Sequence, residues 1–185
     1  MKQRNPNRAR IAALSVAFLL LLLGQQLLYA QEASEYQVKA AFLYNFSKFV
    51  EWPDETLDGN TVPIRLCVLN DASFGLQLSG IVRGKIIKNR PIVVVSVKTG
   101  EEARGCQLLF IGSSQNRQAK HIIDVLQGTS TLTVGETKDF LQEGGIINFV
   151  LQENRVHFQV NHKAAMQAGL RISSKLLSLA ELVIE

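Results

Sequence analysis

The chain has 185 residues, 46% of them hydrophobic and 19% charged, with 20 Lys+Arg against 16 Asp+Glu. Four of the bases, Lys2, Arg4, Arg8 and Arg10, and none of the acids fall within residues 1–30, so the remainder balances at 16 against 16. The basic pI of 9.2 therefore belongs to the leading segment, and the rest of the chain makes no electrostatic case for nucleic acid or an anionic membrane as partner.

The leading segment has the plan of a secretory signal. Its basic start is followed by a largely apolar stretch from Ile11 to Leu23, then Leu28-Tyr29-Ala30 with a small residue at a cleavage point. The apolar stretch is short for a membrane span. Cleavage after Ala30 is expected, with an uncleaved anchor as the alternative, and residues 31–185 suit a single domain with one core.

Along that domain, Val38, Ala41, Phe42, Asn45, Phe46, Phe49 and Val50 recur at helical spacing and put an aromatic stripe on one face of a helix. Lys39, Ser47, Lys48 and Glu51 fall on its other faces. Ser34 can cap the start, and Pro53 biases Trp52 out of the α region, so the helix should end about there. After a polar turn (Asp54 to Thr61), Ile64–Leu69 reads as a strand covered on both faces, and Asn70 or Asp71 can cap a short helix to about Gly80. Ile86 to Val97 carries IVVVSV, the strongest β signal. Thr99–Arg104 reads as a helical turn or a loop, and Gln107–Ile111 as another buried strand. Gly112-Ser113-Ser114 turns into a helix with Ala119, Ile122, Ile123 and Leu126 on one face, ended by Gly128. A short strand at Thr131–Val134 and a turn around Thr137–Gln142 lead to Ile146–Leu151 and Val156–Val160, a hairpin signal around Gln152-Glu153-Asn154-Arg155. Asn161 can cap a helix to about Ala168, Gly169 breaks it, and Ser173 or Ser174 starts a last helix to about Val183. Strand and helix alternate, so the class is α/β: a mostly parallel sheet with flanking helices and an antiparallel hairpin near the C-terminus, at one edge of the sheet. Cys67 and Cys106 sit in two of the apolar strands and can pair across them, or remain as two buried thiols.

Candidate chemistry is sparse. Ser113 and Ser114 lack a nucleophile-elbow glycine pattern and read as a helix cap, with an anion at the same turn as the other reading. His121, His157 and His162 share no metal spacing, and the cysteines lack the close pair zinc needs. Asp54, Glu55, Glu101 and Glu102 read as solvated turns, and Arg83, Lys85, Lys88 and Arg90 as an exposed basic loop edge, with a minor docking charge as the other reading. Arg171 follows Gly169-Leu170, with Gln159 and Asn161 on the preceding strand end. It can satisfy helix carbonyls, or anchor a small anionic ligand or an acidic partner residue through its fork.

Six stretches carry a resemblance: YQVKAAFLYNFSKFVEWP at 36–53, LCVL at 66–69, CQLLFIG at 106–112, GGIINFV at 144–150, VHFQVN at 156–161 and AGLRISSKLLSLA at 168–180. In them the chain resembles the YfiR family of bacterial periplasmic proteins over essentially all of residues 31–185. The resemblance implies a non-enzymatic regulator without a cofactor. Such a regulator represses an inner-membrane diguanylate cyclase through its periplasmic sensor domain and is sequestered by an outer-membrane OmpA-like lipoprotein, with cyclic di-GMP and biofilm formation responding. It also implies that Cys67 and Cys106 form the family's structural disulfide. The second bridge of some members has no cysteines here. Related domains serve other signalling partners, the family allows a homodimer, and some members accept small ligands near the segment of Gln159, Asn161 and Arg171. Candidates for the partner surface are Trp52, Pro53, Phe149, Gln159, Met166 and Ile172, each of which can equally be core packing.

Overall fold

The computed structural model describes residues 35–53 and 62–185. The signal segment, the Ser34 cap and the turn Asp54–Thr61, with Asp54 and Glu55, lie outside the described residues. A helix, α1, spans residues 35–49, and the chain then runs straight into a two-residue strand, β1 (Val50–Glu51). The helix stops before Trp52 because Val50 and Glu51 pair antiparallel with Ile172 and Arg171 of β9 (Arg171–Ile172). That long-range ladder outweighs local helix propensity.

The main sheet follows. Its strands are β2 (Ile64–Leu69), β3 (Ile86–Ile87), β4 (Arg90–Val97), β5 (Leu108–Ile111), β6 (Leu132–Gly135), β7 (Ile147–Gln152), β8 (Arg155–Asn161) and β10 (Leu182–Ile184), in the spatial order β10-β8-β7-β6-β5-β2-β4-β3. All neighbours are parallel except the β7–β8 and β3–β4 pairs. The α/β class, the mostly parallel sheet and the C-terminal hairpin are thus as the alternation requires. Two strands differ from expectation. The run Ile86 to Val97 is a small hairpin, because Lys88 and Asn89 take positive φ of 48° and 64° and fold β3 back on β4. The last helix is four residues long, α5 (Ser174–Leu177), and its expected C-terminal half is β10, which pairs parallel with β8. The β7–β8 hairpin therefore sits one strand in from the edge.

Helices cover both faces. On one, Phe74 of α2 (Ala72–Val82) meets Phe110 at 4.5 Å, and Phe42 and Phe46 of α1 meet Phe149 and Phe158 with ring centroids 5.0–6.0 Å apart. The aromatic stripe does lie on the sheet, rotated from its expected position. Ala40, Leu43, Phe46, Ser47 and Val50 are buried, while Val38 is 41% exposed. On the other face, Cys67, Leu69, Leu109 and Ile111 pack with Ala119, Ile122 and Ile123 of α3 (Asn116–Val125) and with Phe140. Phe140 presses so closely on the sheet that a Cβ at Gly135 or Gly145 would collide with its ring. Cys67 and Cys106 form a disulfide within this cluster, Cα atoms 6.0 Å apart. The remaining helix, α4 (His162–Gln167), starts on an Asn161 side chain that accepts from Ala164 N.

Candidate functional site

The β1–β9 ladder positions a polar concavity. Register places Glu51 opposite Arg171, and the Arg171 guanidinium donates to the Glu51 carboxylate at 2.9 Å. The β3–β4 turn brings Lys88 to the other carboxylate oxygen at 3.4 Å. These two cations, Lys88 first, hold the Glu51 carboxyl below its ordinary range. Around them lies an open cavity of about 330 Å³ walled by Lys48, Phe49, Glu51, Lys88, Arg171, Ile172, Ser173 and Ser174. Its size falls at the small end of known ligand sites.

Aromatic rings and bases interleave at its rim. Lys175 and Lys48 stand 5.5 and 5.8 Å from the Phe49 ring, and Lys85 stands 4.2 Å from the Tyr44 ring. Ser173 N donates to Phe49 O, which locks the rear wall to the end of α1. Arg171, with a side chain 83% exposed, keeps donors directed at solvent beyond Glu51. The arrangement suits an anionic group that lies on an aromatic surface. Among the described residues no group of three His, Cys, Asp or Glu could hold a metal ion.

Arg171 therefore satisfies a carboxylate rather than helix carbonyls. Gln159 and Asn161, expected beside it, lie on one face of β8 and are not in the cavity wall. Asn161 is committed twice, accepting from Ala164 N at 2.9 Å and donating to Leu141 O at 3.1 Å. Of the candidate partner residues, Trp52 is buried with its indole donating to Gln107 O at 2.9 Å. Phe149 lies in the aromatic cluster and Ile172 is 8% exposed, whereas Met166 is 55% exposed; Pro53 and Gln159 are half-buried. The basic edge divides similarly. Lys88 belongs to the cavity, and Arg90 is buried, donating to Val62 O at 3.1 Å.

The cavity members that sequence reasoning missed, Lys48, Phe49, Ser173 and Ser174, carry no local motif. Glu51 and Ile172 neighbour Trp52 and Arg171 in sequence, but the register that sets Glu51 opposite Arg171 and Val50 opposite Ile172 needs β9. A second omission is Lys39, placed by its spacing off the aromatic face yet 6% exposed and joined to Glu136 at 2.5 Å. Ser47 is buried too, its hydroxyl donating to Leu43 O.

Comparison with known proteins gives three findings. The profile of the family described as YfiR/HmsC-like matches residues 36–181. No curated protein matches the chain. Among solved structures, a conserved domain protein from Vibrio cholerae O1 biovar El Tor superposes with a TM-score of 0.50 at 12% identity, covering 65% of this chain and 54% of that one. An ABC domain from Streptococcus pneumonia, solved with L-Trp, gives 0.46 at 11% identity, covering 65% and 55%. This chain thus matches just over half the length of either structure, and the first likeness concerns fold alone.

Proposed function

The chain belongs to the YfiR/HmsC-like family, and from that premise we propose that it is a periplasmic regulatory protein which binds and represses the periplasmic sensor domain of an inner-membrane diguanylate cyclase. Repression lowers cyclic di-GMP and with it biofilm formation. The family is periplasmic and regulatory rather than catalytic, and the buried Cys67–Cys106 disulfide suits an oxidising compartment. In this reading residues 1–30 direct export and are cleaved after Ala30, residues 31–185 form the working domain, and an outer-membrane OmpA-like lipoprotein relieves repression by sequestering it. A homodimer is compatible with the same scheme.

The observation that carries the proposal is the family match over 36–181. The basic, aromatic-rimmed cavity around Arg171 gives the regulator a recognition surface, with Pro53 and Met166 as further contacts. Deleting the gene in a strain that expresses such a cyclase should raise cyclic di-GMP, and the purified protein should form a complex with the cyclase's periplasmic domain. Unchanged cyclic di-GMP in that strain would overturn the repressor reading.

A second reading rests on the cavity itself: the domain is a periplasmic sensor whose small anionic ligand docks on Arg171 and adjusts a signalling partner. Calorimetric titration with small aromatic carboxylates separates the two. Binding abolished by Arg171→Ala, with no cyclase complex, favours the sensor.

A further inference from the structure

The strands β4-β2-β5-β6-β7 lie side by side, which is the order 2-1-3-4-5 counted in chain sequence, so the direction of winding reverses between β2 and β5. In open α/β sheets that reversal opens a crevice at the carboxyl ends of the strands, and ligands bind there, often with an anionic group on the backbone amides that begin the next helix. In this protein the position is taken. Glu136, the first residue after β6, accepts the Ser113 N–H through Oε1 at 2.7 Å, on the turn that follows β5. The other oxygen accepts from Lys39 Nζ of α1 at 2.5 Å, and the two side chains are 8% and 6% exposed. Asn70 spans the rest of the crevice, its Nδ2 donating to Lys98 O at 3.2 Å and Gln115 Oε1 at 3.3 Å.

Either contact alone has a commonplace substitute. A serine or glutamine would satisfy the Ser113 amide, and a lysine at position 39 could extend to solvent on another face of α1. Both together, in a nearly dry place, require a full negative charge on one side and a full positive charge on the other. We propose that Glu136 is a resident anion. Its carboxylate fills the anion position of the sheet's ligand crevice, Lys39 is the counter-charge, and the fold's usual small-molecule site is closed by the chain itself. Recognition is thereby left to the outer surfaces, and α1 is tied to the carboxyl edge of the sheet by an ionic contact as well as by its aromatic ones.

If so, removing the carboxylate creates a site for one from solution. In the purified full-length exported protein, Glu136→Gly should lower the unfolding midpoint. Sodium formate or acetate, replacing chloride at equal ionic strength, should restore several degrees of it in a saturable way. Neither the wild type nor Lys39→Met/Glu136→Gly should respond. A response equal to the chloride control, or one that survives loss of Lys39, overturns the proposal. Should Glu136→Gly fail to fold, Glu136→Gln supplies the second test. It keeps an acceptor for Ser113 but not the charge, so it should be destabilised and be recovered in part by adding Lys39→Met. A Glu136→Gln protein as stable as wild type would refute the resident anion.

Discussion

Replacing both cysteines by alanine removes a link whose contribution can be worked from its geometry. Cys67 on β2 and Cys106 just before β5 close a loop with a sequence separation of 39. In the chain-entropy account a loop of that length restricts the unfolded chain by about 4 kcal/mol. For a domain of this size each kcal/mol moves the melting midpoint by roughly 2–4 °C, so Cys67→Ala/Cys106→Ala should melt about 8–16 °C lower. In urea, with a slope of about 2 kcal/mol/M, the midpoint should fall by about 2 M. The same structure predicts how the bond responds to reductant. The two residues are 0% and 3% exposed inside the cluster formed by β2, β5 and α3, and an attacking thiolate must reach a sulfur for exchange to begin. Dithiothreitol should therefore leave the bond intact under native conditions and cleave it at the rate at which the domain opens, a rate that rises with urea. A stability loss below about 1 kcal/mol would refute the entropic reasoning. Rapid reduction of the native protein would refute the burial argument and turn the bond into a redox-sensitive element.

Three further outcomes follow from named contacts. Phe46 is fully buried among the rings of Phe42, Phe149 and Phe158, so Phe46→Ala should cost about 3–5 kcal/mol by urea denaturation; a loss under about 1 kcal/mol would mean that α1 does not pack on the hairpin. Asn161→Ala removes the α4 cap and leaves Leu141 O without its donor, which should cost about 2 kcal/mol, and a neutral effect would sink the dual role. For Glu51, the carboxyl should titrate below its ordinary value of 4.5, because Lys88 and Arg171 favour the charged form. A depressed native pKa means that the stabilisation is fully present above the ordinary carboxylate range and is lost as pH falls through the lowered value. An NMR titration of the Glu51 side chain should show this midpoint, moved upward by Lys88→Ala or Arg171→Ala; a midpoint at or above 4.5 would contradict the site geometry.

The parts of the fold that could be read from sequence are those where burial speaks through one residue type. The spacing of Ala119, Ile122 and Ile123 in α3 and of Leu126 at its end survives unchanged, as does the largely apolar run of β2, because an apolar side chain has only one favourable place to go. Asp71, Asn161 and Ser173 also cap the helices they precede or adjoin, each accepting a backbone N–H three residues on, since a cap is a local bond. The misplaced boundaries share the opposite character. β1, β9 and β10 are two or three residues long and carry little local signal. Val50 and Glu51 could have continued α1, and Leu182 to Ile184 could have continued α5, had no distant partner strand been waiting in register at Ile172 and Arg171 or at Gln159 to Asn161.

The same distinction explains the site. Arg171 was visible because an arginine after a helix-breaking glycine demands a partner, but the sequence neighbours Gln159 and Asn161 were the wrong ones to supply it. Its real companions, Glu51 and Lys88, come from β1, just past the end of α1, and from a turn between two strands at the far edge of the sheet. Lys39 shows the limit most clearly. A charged residue is compatible with water or with a buried opposite charge, and helical periodicity reports only the first. What decides between them is Glu136, 97 positions away. Its own burial follows from the winding order of the sheet, which places the end of β6 beside the turn after β5. The long aromatic signature at 36–53 thus has two layers of meaning: Phe42 and Phe46 declare a core to anyone counting residues, while Lys39 and Glu51 acquire their roles only once the sheet has brought their counter-charges to them.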